Sequence, residues 1–329
     1  MRHFDVFNGD ADGICSLVQL RLSNPVESEL VTGVKRDLQL LNQITDQLCS
    51  GDQLTVLDIS LDKNISALQT ALNREVQVFY VDHHRASEIP AHANLQARIN
   101  TAANTCTGLI VDHYLKGKYR QWAIVAAYGD NLIPVADALC KSENINKEQS
   151  AVLKRLGISL NYNSYGMQLE DLHFHPAVLF KAAVQFASPL EFTEEKEDIL
   201  KTLEQGYRHD LDKALSILPA QTSNSSCLVM LPNTAWARRI SGPLGNELAN
   251  LYPNRAHAIL TPISAAGAMQ ASDTFQVSVR APKSNFTSAD DIAKEFGGGG
   301  RKGAAGINSL KENQIDRLWK VLNSTYAKS

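Results

Sequence analysis

An apolar run that ends in polar residues, Val76-Gln77-Val78-Phe79-Tyr80-Val81-Asp82-His83-His84, decides the fold of this sequence. The run predicts a buried strand. Desolvating an aspartate and two histidines at its tip costs free energy, so their presence there indicates a function. Two more acidic groups follow strand-like stretches, because Asp10-Ala11-Asp12-Gly13 comes after residues 4–7 and Asp58 comes after residues 54–57. In an open α/β sheet these tips converge on the edge where such folds bind ligands. Carboxylates and imidazoles gathered there predict a divalent metal site, because a cation relieves their repulsion.

Around this stretch, strand and helix signals alternate through the first part of the chain. The predicted strands cover residues 4–7, 30–34, 54–57 and 76–81, and the predicted helices cover 14–22, 38–48, 65–72, 107–115 and 122–127. Short apolar strands that alternate with amphipathic helices indicate parallel βαβ units, and therefore a sheet covered on both faces. Residues 141–192 are predicted to be mostly helical, with a polar loop at 161–166.

A second, smaller α/β unit follows. The acidic stretch 193–198 suits a helix N-terminus and opens a predicted helix that runs to about residue 215. Strands are then expected at 227–231, 257–261 and 274–280, and helices at 243–251, 288–296 and 312–322. We therefore expect a first domain over residues 1–192, a connecting helix over 193–220 and a second domain over 221–329.

Composition limits the function classes. The chain has 329 residues, a net charge of −3 and a pI near 6.3, which argues against a protein that binds long duplex nucleic acid through a broad basic face. Its five cysteines are scattered and include no C-x-x-C, so we expect reduced thiols in a cytoplasmic protein. The N-terminal residues do not resemble a signal peptide, and no stretch approaches the roughly 20 apolar residues that span a bilayer. We therefore expect no membrane association.

The candidate metal ligands are Asp10, Asp12, Asp58, His83 and Asp130. Each of them alone is explained as well or better by a turn, a helix cap or a structural histidine. Their joint occurrence at three strand tips favours metal binding, and a set of Asp and His without Cys suits Mn²⁺ or Mg²⁺ better than structural zinc. Two ions roughly 3.5–4 Å apart would activate a bridging water for in-line displacement at phosphorus.

The same residues resemble the four successive motifs of the DHH phosphoesterase superfamily. These motifs are Asp10-Ala11-Asp12-Gly13, Asp58-Ile59-Ser60, Asp82-His83-His84 and Asp130, and they cover about the first 190 residues. The run Gly297-Gly298-Gly299-Gly300-Arg301-Lys302-Gly303-Ala304-Ala305-Gly306 resembles the signature of the DHHA1 substrate-binding domain. The resemblance implies a phosphodiesterase or phosphatase with two Mn²⁺ ions, for which Mg²⁺ or Co²⁺ could substitute. It places the active site in a cleft between the DHH and DHHA1 domains.

The resemblance also implies roles for individual residues. The five candidate ligands named above keep that role, Asp82 would orient a ligand, and His84 would contact the scissile phosphate or assist its leaving group. Many relatives carry a histidine ligand just before the first aspartate, where this chain has Asn8 among the nearby residues. Asn8 could supply a weaker carbonyl oxygen instead. The glycine run is usually followed by histidine, and here Arg301 follows it.

The glycine run predicts an anion-binding site, because consecutive glycines expose backbone N–H groups without obstruction. Arginine and lysine beside the run add positive charge, and an arginine at the end of strand 274–280 matches a Ser-x-Arg of the relatives. The expected substrate-binding residues are Gly298, Gly299, Gly300, Arg301, Lys302 and Arg280. The alternatives are a flexible hairpin with solvated basic residues and, for the last of these residues, an ordinary surface arginine.

These observations favour a short phosphorylated substrate. Our first hypothesis is a metal-dependent phosphodiesterase that hydrolyses short RNA or linear dinucleotides, such as pGpG, to mononucleotides. Two alternatives remain, namely an exopolyphosphatase or nucleotide phosphatase on the same scaffold, and a non-catalytic nucleotide sensor that lost a metal with the histidine near Asn8. Residues 141–192 would cover the cleft or pair two subunits in a homodimer.

Overall fold

A computed structural model describes residues 1–263 and 273–327. The chain divides into two compact units, Met1–Gln205 and Gly206–Ser329. This boundary falls within the stretch 193–220, which the sequence analysis assigns to a connecting helix.

The first unit is built on a parallel sheet of five strands in the order β2-β1-β3-β4-β5. The strands are β1 His3–Phe7, β2 Glu29–Thr32, β3 Gln53–Leu57, β4 Gln77–Asp82 and β5 Leu95–Ile99. The predicted α/β class is confirmed. The strand β5 was not predicted, because it lies at the sheet edge and its residues are only partly buried, which weakens the apolar signal. The chain order reverses between β1 and β3, so their carboxyl ends flank a topological switch point.

Helices surround this sheet. They are α1 Ala11–Ser23, α2 Leu61–Asn73, α3 Thr107–Tyr114, α4 Arg120–Gly129, α5 Ile133–Ser142, α6 Lys147–Ser164, α7 Pro176–Ala183 and α8 Pro189–Glu195. Phe4 and Val6 of β1 pack in one hydrophobic cluster with α2, whereas Phe7 packs with α1 and α4 in a second cluster. This alternation along β1 shows that both faces of the sheet are covered, as a parallel sheet requires.

Two predicted elements of the first unit are wrong. Residues 38–48 form two short 3-10 turns, Leu40–Gln43 and Thr45–Gln47, rather than an α-helix. Asn64 of α2 binds the carbonyl of Leu38 and the N–H of Leu41, so side-chain hydrogen bonds replace helical ones. The predicted polar loop begins too early, because α6 continues to Ser164. Asn163 is buried there and binds the backbone of Phe174.

The second unit contains a six-stranded sheet in the order β10-β11-β9-β8-β7-β6. Among the strands that the structure describes here, β7 and β8 pair in parallel and the other neighbours pair antiparallel. The strands are β6 Gln221–Thr222, β7 Ser226–Met230, β8 Ala256–Pro262, β9 Thr274–Arg280, β10 Gly299–Arg301 and β11 Ala304–Lys311. The further α-helices within residues 1–263 and 273–327 are α9 Glu197–Leu215, which contains the boundary between the units, α10 Ala235–Leu251, α11 Ala289–Lys294 and α12 Ile315–Tyr326.

The helices α9 and α10 begin at other residues than the sequence predicts. The acidic stretch does open a helix, but α8 ends at Glu195 and α9 begins at Glu197. The helix predicted to begin at Pro243 starts at Ala235, and Pro243 lies inside it. Ala237 and Ile240 are fully buried in this first part, so core packing outweighs the breaking tendency of the proline.

Among residues 1–263 and 273–327, no helix combines the length and the apolar character that crossing a membrane requires.

Candidate metal centre

The carboxyl edge of the parallel sheet gathers the acidic residues that the sequence singled out. Asp10 caps α1 directly after β1, Asp58 follows β3, and Asp82 ends β4. His83 Nε2 lies 3.4 Å from Asp58 Oδ1 and 3.9 Å from Asp12 Oδ2. The five side chains named here are all buried, at 7% exposure or less. The topology therefore brings residues far apart in sequence to one point inside the unit.

Asp10 is held on both of its carboxylate oxygens. Oδ1 accepts hydrogen bonds from the N–H groups of Asp12 and Gly13, at 3.0 and 3.1 Å, and so caps α1. Oδ2 forms an ion pair with Lys35 Nζ. Burial by itself would raise the pKa of Asp10, but Lys35 and the capping bonds outweigh it and lower that pKa below its usual value.

Gly13 lies within α1, and a Cβ on it would stand 2.1 Å from the carbonyl oxygen of Asn8. Glycine is needed because the backbone of the preceding segment packs directly on this turn of the helix. Asn8 Oδ1 accepts the N–H of Asp10, and Asn8 Nδ2 donates to the carbonyl of Lys35. The Asn8 side chain therefore ties two backbone segments together.

Asp12 is bound to the N-terminus of α3. Its Oδ2 accepts the N–H of Thr107 at 2.8 Å, and its Oδ1 accepts the N–H of Gly108 at 2.7 Å. These are two of the free amides at the start of a helix, where partial positive charge favours a carboxylate. A Cβ on Gly108 would lie 2.5 Å from the Cβ of Ala126, so glycine allows α3 to approach α4 this closely.

Asp58 adopts a left-handed backbone with φ of 58°, which is unusual for a residue other than glycine. Its Oδ1 accepts a hydrogen bond from Thr107 Oγ1 at 3.2 Å. Burial, together with the neighbouring carboxylates of Asp12 and Asp10, raises the pKa of Asp58 well above its usual value. A strained and electrostatically unfavourable carboxylate at a strand tip is typical of a functional site.

His83 is oriented by the backbone, because its Nδ1 lies 3.2 Å from the carbonyl of Thr105. An Nδ1–H that donates to this carbonyl leaves the Nε2 lone pair directed at the carboxylates, as metal-binding histidines require. Burial disfavours the charged ring, but Asp58, Asp12 and Asp130 outweigh burial and raise the pKa of His83 to about 10. The carboxylates therefore attract positive charge strongly to this point.

Asp82 and His84 form a pair beside this cluster. Asp82 Oδ1 accepts the backbone N–H of His83 at 2.8 Å and lies 2.7 Å from Nδ1 of His84. The His84 side chain is 38% exposed, in contrast to the buried His83. Asp82 therefore contacts both His84 and the backbone of the candidate ligand His83, and its role in orienting a ligand stays a prediction.

Asp130 follows α4 and completes the charged surroundings of the cluster. Burial raises the pKa of Asp130, although Lys35 and His83 oppose the shift, and the charges of Asp12 and Asp10 add to it. Within the part of the chain that the structure describes, Oδ2 of Asp130 and Oδ2 of Asp82 are buried without a hydrogen-bond partner. Buried carboxylate oxygens without partners are costly unless a cation binds them.

The donor set fits a divalent ion. Single ligand atoms of Asp58, His83 and His84 all lie within 4.8 Å of one another, and Asp12 and the unpartnered Asp130 oxygen add hard donors. Carboxylate oxygens with one imidazole and no thiolate suit Mn²⁺ or Mg²⁺. The roles of these residues as ligands stay predictions.

Sequence reasoning missed several groups of this centre. Thr105 contributes a carbonyl, and Thr107 and Gly108 contribute N–H groups, none of which has a sequence signature. Lys35 and Asn161 were also missed, because one follows a weak strand and the other was assigned to a loop.

The glycine run of the second unit forms part of a β-hairpin. Gly299–Arg301 is β10, and it pairs with β11. The N–H groups of Gly297 and Gly298 donate to the carbonyls of Lys294 and Ala293, so these two amides cap the C-terminal end of α11. A Cβ on Gly298 would lie 2.2 Å from the carbonyl oxygen of Gly306, whereas one on Gly299 would meet open space.

The basic residues of the second unit differ in their surroundings. Arg301 and Lys302 are exposed on the hairpin, and Arg280 ends β9 two strands away from β10. Arg280 Nε donates to Asn246 Oδ1 at 2.8 Å, and Nη2 donates to the carbonyl of Gly242 at 3.3 Å. The structure thus anchors Arg280 on α10 and leaves the other two residues in solvent. Their roles in substrate binding stay predictions.

No protein-family model and no curated protein matches this sequence. Solved structures do match it. An exonuclease RecJ bound to manganese has a TM-score of 0.60 and 15% identity, and the match covers 100% of this chain and 90% of RecJ. RecJ from Thermus thermophilus in complex with Mn²⁺ has a TM-score of 0.63 and 14% identity, with 99% of this chain and 52% of that RecJ covered.

A pGpG-specific phosphodiesterase from Vibrio cholerae has a TM-score of 0.54 and 14% identity, and the match covers 99% of each chain. Likeness at such low identity is evidence for the fold alone. These solved structures are members of one superfamily, and its sequence motifs coincide with the residues that meet at the sheet edge. The chain has the fold of the DHH/DHHA1 phosphoesterase superfamily.

Proposed function

We propose that this chain is a metal-dependent phosphodiesterase that hydrolyses short oligoribonucleotides or linear dinucleotides, such as pGpG, to mononucleotides. The observation that carries the proposal is the convergence of Asp12, Asp58 and His83 at the carboxyl edge of the parallel sheet. Buried carboxylates that are short of partners suit a cation, and the fold is one on which phosphoesterases are built.

A divalent ion held there would act as a Lewis acid that lowers the pKa of a water molecule and stabilises charge on phosphoryl oxygens. In the hydrolysis, the water oxygen bonds to phosphorus and loses a proton to solvent, while the bond from phosphorus to the leaving nucleotide oxygen breaks. His84 is the exposed residue beside the cluster, and Asp82 holds its Nδ1. We assign to His84 the donation of a proton to the leaving oxygen, with Asp82 keeping the ring in place.

A short substrate is supported by the distribution of charge. The net charge of −3 gives no broad basic surface for a long duplex, and the exposed Arg301 and Lys302 form a small basic group. Two such residues suit a single phosphate, which arginine can bind through two parallel hydrogen bonds. The solved pGpG-specific phosphodiesterase of the same fold is consistent with a dinucleotide substrate.

The test is release of mononucleotide from a 5′-phosphorylated diribonucleotide, with Mn²⁺ and with chelator, and with polyphosphate as the competing substrate. The Asp82→Ala/His83→Ala double variant removes the centre. Asp46→Asn is the matched control, because Asp46 is fully exposed and lies outside the centre. We expect Mn²⁺-dependent release that the double variant abolishes and the control retains.

The alternatives give different results in the same assay. Phosphate release from polyphosphate alone would identify an exopolyphosphatase. Nucleotide binding without turnover of either substrate, at any Mn²⁺ concentration, would identify a sensor. Either result would overturn the proposal.

A further inference from the structure

Lys35 reaches the metal centre from a backbone segment that is fixed on two sides. The N–H of Lys35 donates to the carbonyl of Ser164 at 3.0 Å, and its carbonyl accepts from Asn8 Nδ2 at 3.3 Å. A Cβ on Gly9 would lie 2.0 Å from the carbonyl oxygen of Gly33. Glycine at position 9 therefore lets the segment that follows β2 lie directly against the end of β1.

The ammonium group of Lys35 is bound inside the centre. Nζ forms an ion pair with Asp10 Oδ2, donates to Asn161 Oδ1 at 3.0 Å and lies 5.7 Å from the centre of the Tyr165 ring. The Lys35 side chain is 27% exposed and that of Asp10 only 4%. An ion pair with such low exposure and a second hydrogen bond is held in one geometry, unlike an ion pair that is solvated at the surface.

Lys35 occupies the second oxygen of Asp10. Its Oδ1 already accepts two backbone N–H groups of α1, so a metal ion at Asp10 Oδ2 would lie beside the ammonium and be repelled by its charge. Asp58 and His83, by contrast, face each other, and Asp130 Oδ2 has no hydrogen-bond partner among the described residues. Asp10 therefore has less capacity for a metal ion than these three residues.

We propose that the ammonium of Lys35 takes the place of one of the two expected metal ions, so that the protein binds a single divalent ion tightly. The proposal rests on the metal centre of the proposed function and changes the number of ions in it. Asp12, Asp58, His83 and Asp130 hold the ion, and Asp10 holds the ammonium. A centre with one ion fewer then needs no ligand in place of the histidine that is absent near Asn8.

The replacement of a metal ion by the Lys35 ammonium has a chemical consequence. A lysine supplies one positive charge and up to three N–H donors, does not exchange with the solution, and cannot act as a Lewis acid towards water. Lys35 therefore contributes a fixed charge to the centre, and the exchangeable ion alone sets how the protein responds to metal concentration. Catalysis would saturate with one equivalent of metal.

Counting bound metal tests the proposal without an activity assay. Metal-free protein is titrated with Mn²⁺ by calorimetry, and electron paramagnetic resonance then shows whether bound ions are isolated or exchange-coupled in pairs. We expect the wild type to bind one isolated ion, with any second ion at least roughly 100-fold weaker, since the ammonium of Lys35 repels it. Lys35→Met keeps the length and removes the charge, so it should bind two ions with a coupled signal.

Lys35→Arg and Lys147→Met are the matched controls, because the first keeps the charge and the second removes a lysine that is exposed elsewhere. Both should bind one ion. Lys35→Gln repeats the test if the methionine variant does not fold, as judged by circular dichroism. Two ions of similar affinity in the wild type would overturn the proposal and leave the phosphodiesterase intact. One ion in both uncharged variants would also overturn it, and no Mn²⁺ binding by the wild type would overturn the proposed function as well.

Discussion

In the first unit, Asp12 and Asp58 are buried and bound by groups from several segments, whereas in the second unit Arg301 and Lys302 are exposed on the β10–β11 hairpin. The buried groups are held in position before any ligand arrives. The exposed pair must lose side-chain freedom when it binds a phosphate. We therefore expect the first unit to carry the catalytic effect and the second to adjust affinity.

The largest expected effect comes from Asp58, which lies among the other candidate ligands. Asp58→Asn keeps the shape and removes the charge, and we expect the rate of mononucleotide release to fall roughly 10³-fold, a loss like that on removing a preorganised electrostatic group. The exposed Asp46→Asn should retain full activity. If the two variants showed equal rates, the buried cluster could not be the catalytic centre.

The next prediction tests whether a buried histidine makes the stability of the second unit depend on pH. His257 is 1% exposed, and neither ring nitrogen has a hydrogen-bond partner among the described residues. Burial, together with the charge of Arg255, lowers the pKa of His257 to about 4. A histidine with a lowered pKa stabilises the fold only while it is neutral, so its contribution is complete above pH 6.5 and is lost as the pH falls towards 4.

The expected contribution is about 3 kcal/mol between pH 7 and pH 4, from 1.36 kcal/mol per pKa unit. Urea unfolding of wild type and His257→Leu at both values measures it, and the variant should lose that much less stability on acidification. The exposed His113→Gln serves as the control and should follow the wild type. Parallel curves for wild type and His257→Leu would show that His257 is protonated without cost in the folded state.

A smaller effect is expected for the exposed histidine beside the metal centre. His84→Gln should lower kcat roughly 10²-fold with little change in KM, because general acid catalysis acts on the chemical step. Asp82→Asn should lower kcat less, because it only weakens the hold on His84. A substrate with a good leaving group, such as a nitrophenyl ester, should restore the rate of the glutamine variant. No restoration would argue against proton donation by His84.

The smallest effect is expected on the hairpin of the second unit. Arg301→Ala/Lys302→Ala should raise KM at most about fivefold and leave kcat unchanged, since an exposed charge pair contributes at most about 1 kcal/mol. Arg317→Ala is the control, because this arginine is exposed in the same unit and pairs only loosely with Glu295, at 3.6 Å. A loss in kcat as large as that of Asp58→Asn would end the distinction between the two regions.

The parallel sheet and the meeting of Asp10, Asp58 and His83 could be predicted, because the carboxyl ends of parallel strands must share an edge. Strand signals and ligand-type residues occur next to each other in the sequence. The local pattern therefore indicates which residues, distant in sequence, meet in the fold. The partners of Asp12 could not be predicted, because they are backbone N–H groups and every residue but proline carries one.

Lys35 could not be predicted for another reason. It follows Gly33-Val34 and precedes an arginine, a pattern typical of a solvated basic loop. The close approach of Gly9 to Gly33 and the hydrogen bonds of its backbone to Ser164 and Asn8 hold the segment in place, and these are tertiary contacts. The early start of α10 was missed on similar grounds, because the burial of Ile240 decides it and the local proline argues against it.

The bonds from Thr107 and Gly108 to the two oxygens of Asp12 give the protein an internal spectroscopic reporter. An amide proton that donates to a carboxylate resonates at a position set by the electron density on that oxygen. A diamagnetic ion such as Mg²⁺, once bound to Asp12, would withdraw that density and move both proton resonances, while the ordinary backbone of α2 would stay unchanged. The occupancy of the centre could thus be followed in a nuclear magnetic resonance spectrum, residue by residue, before any substrate is known.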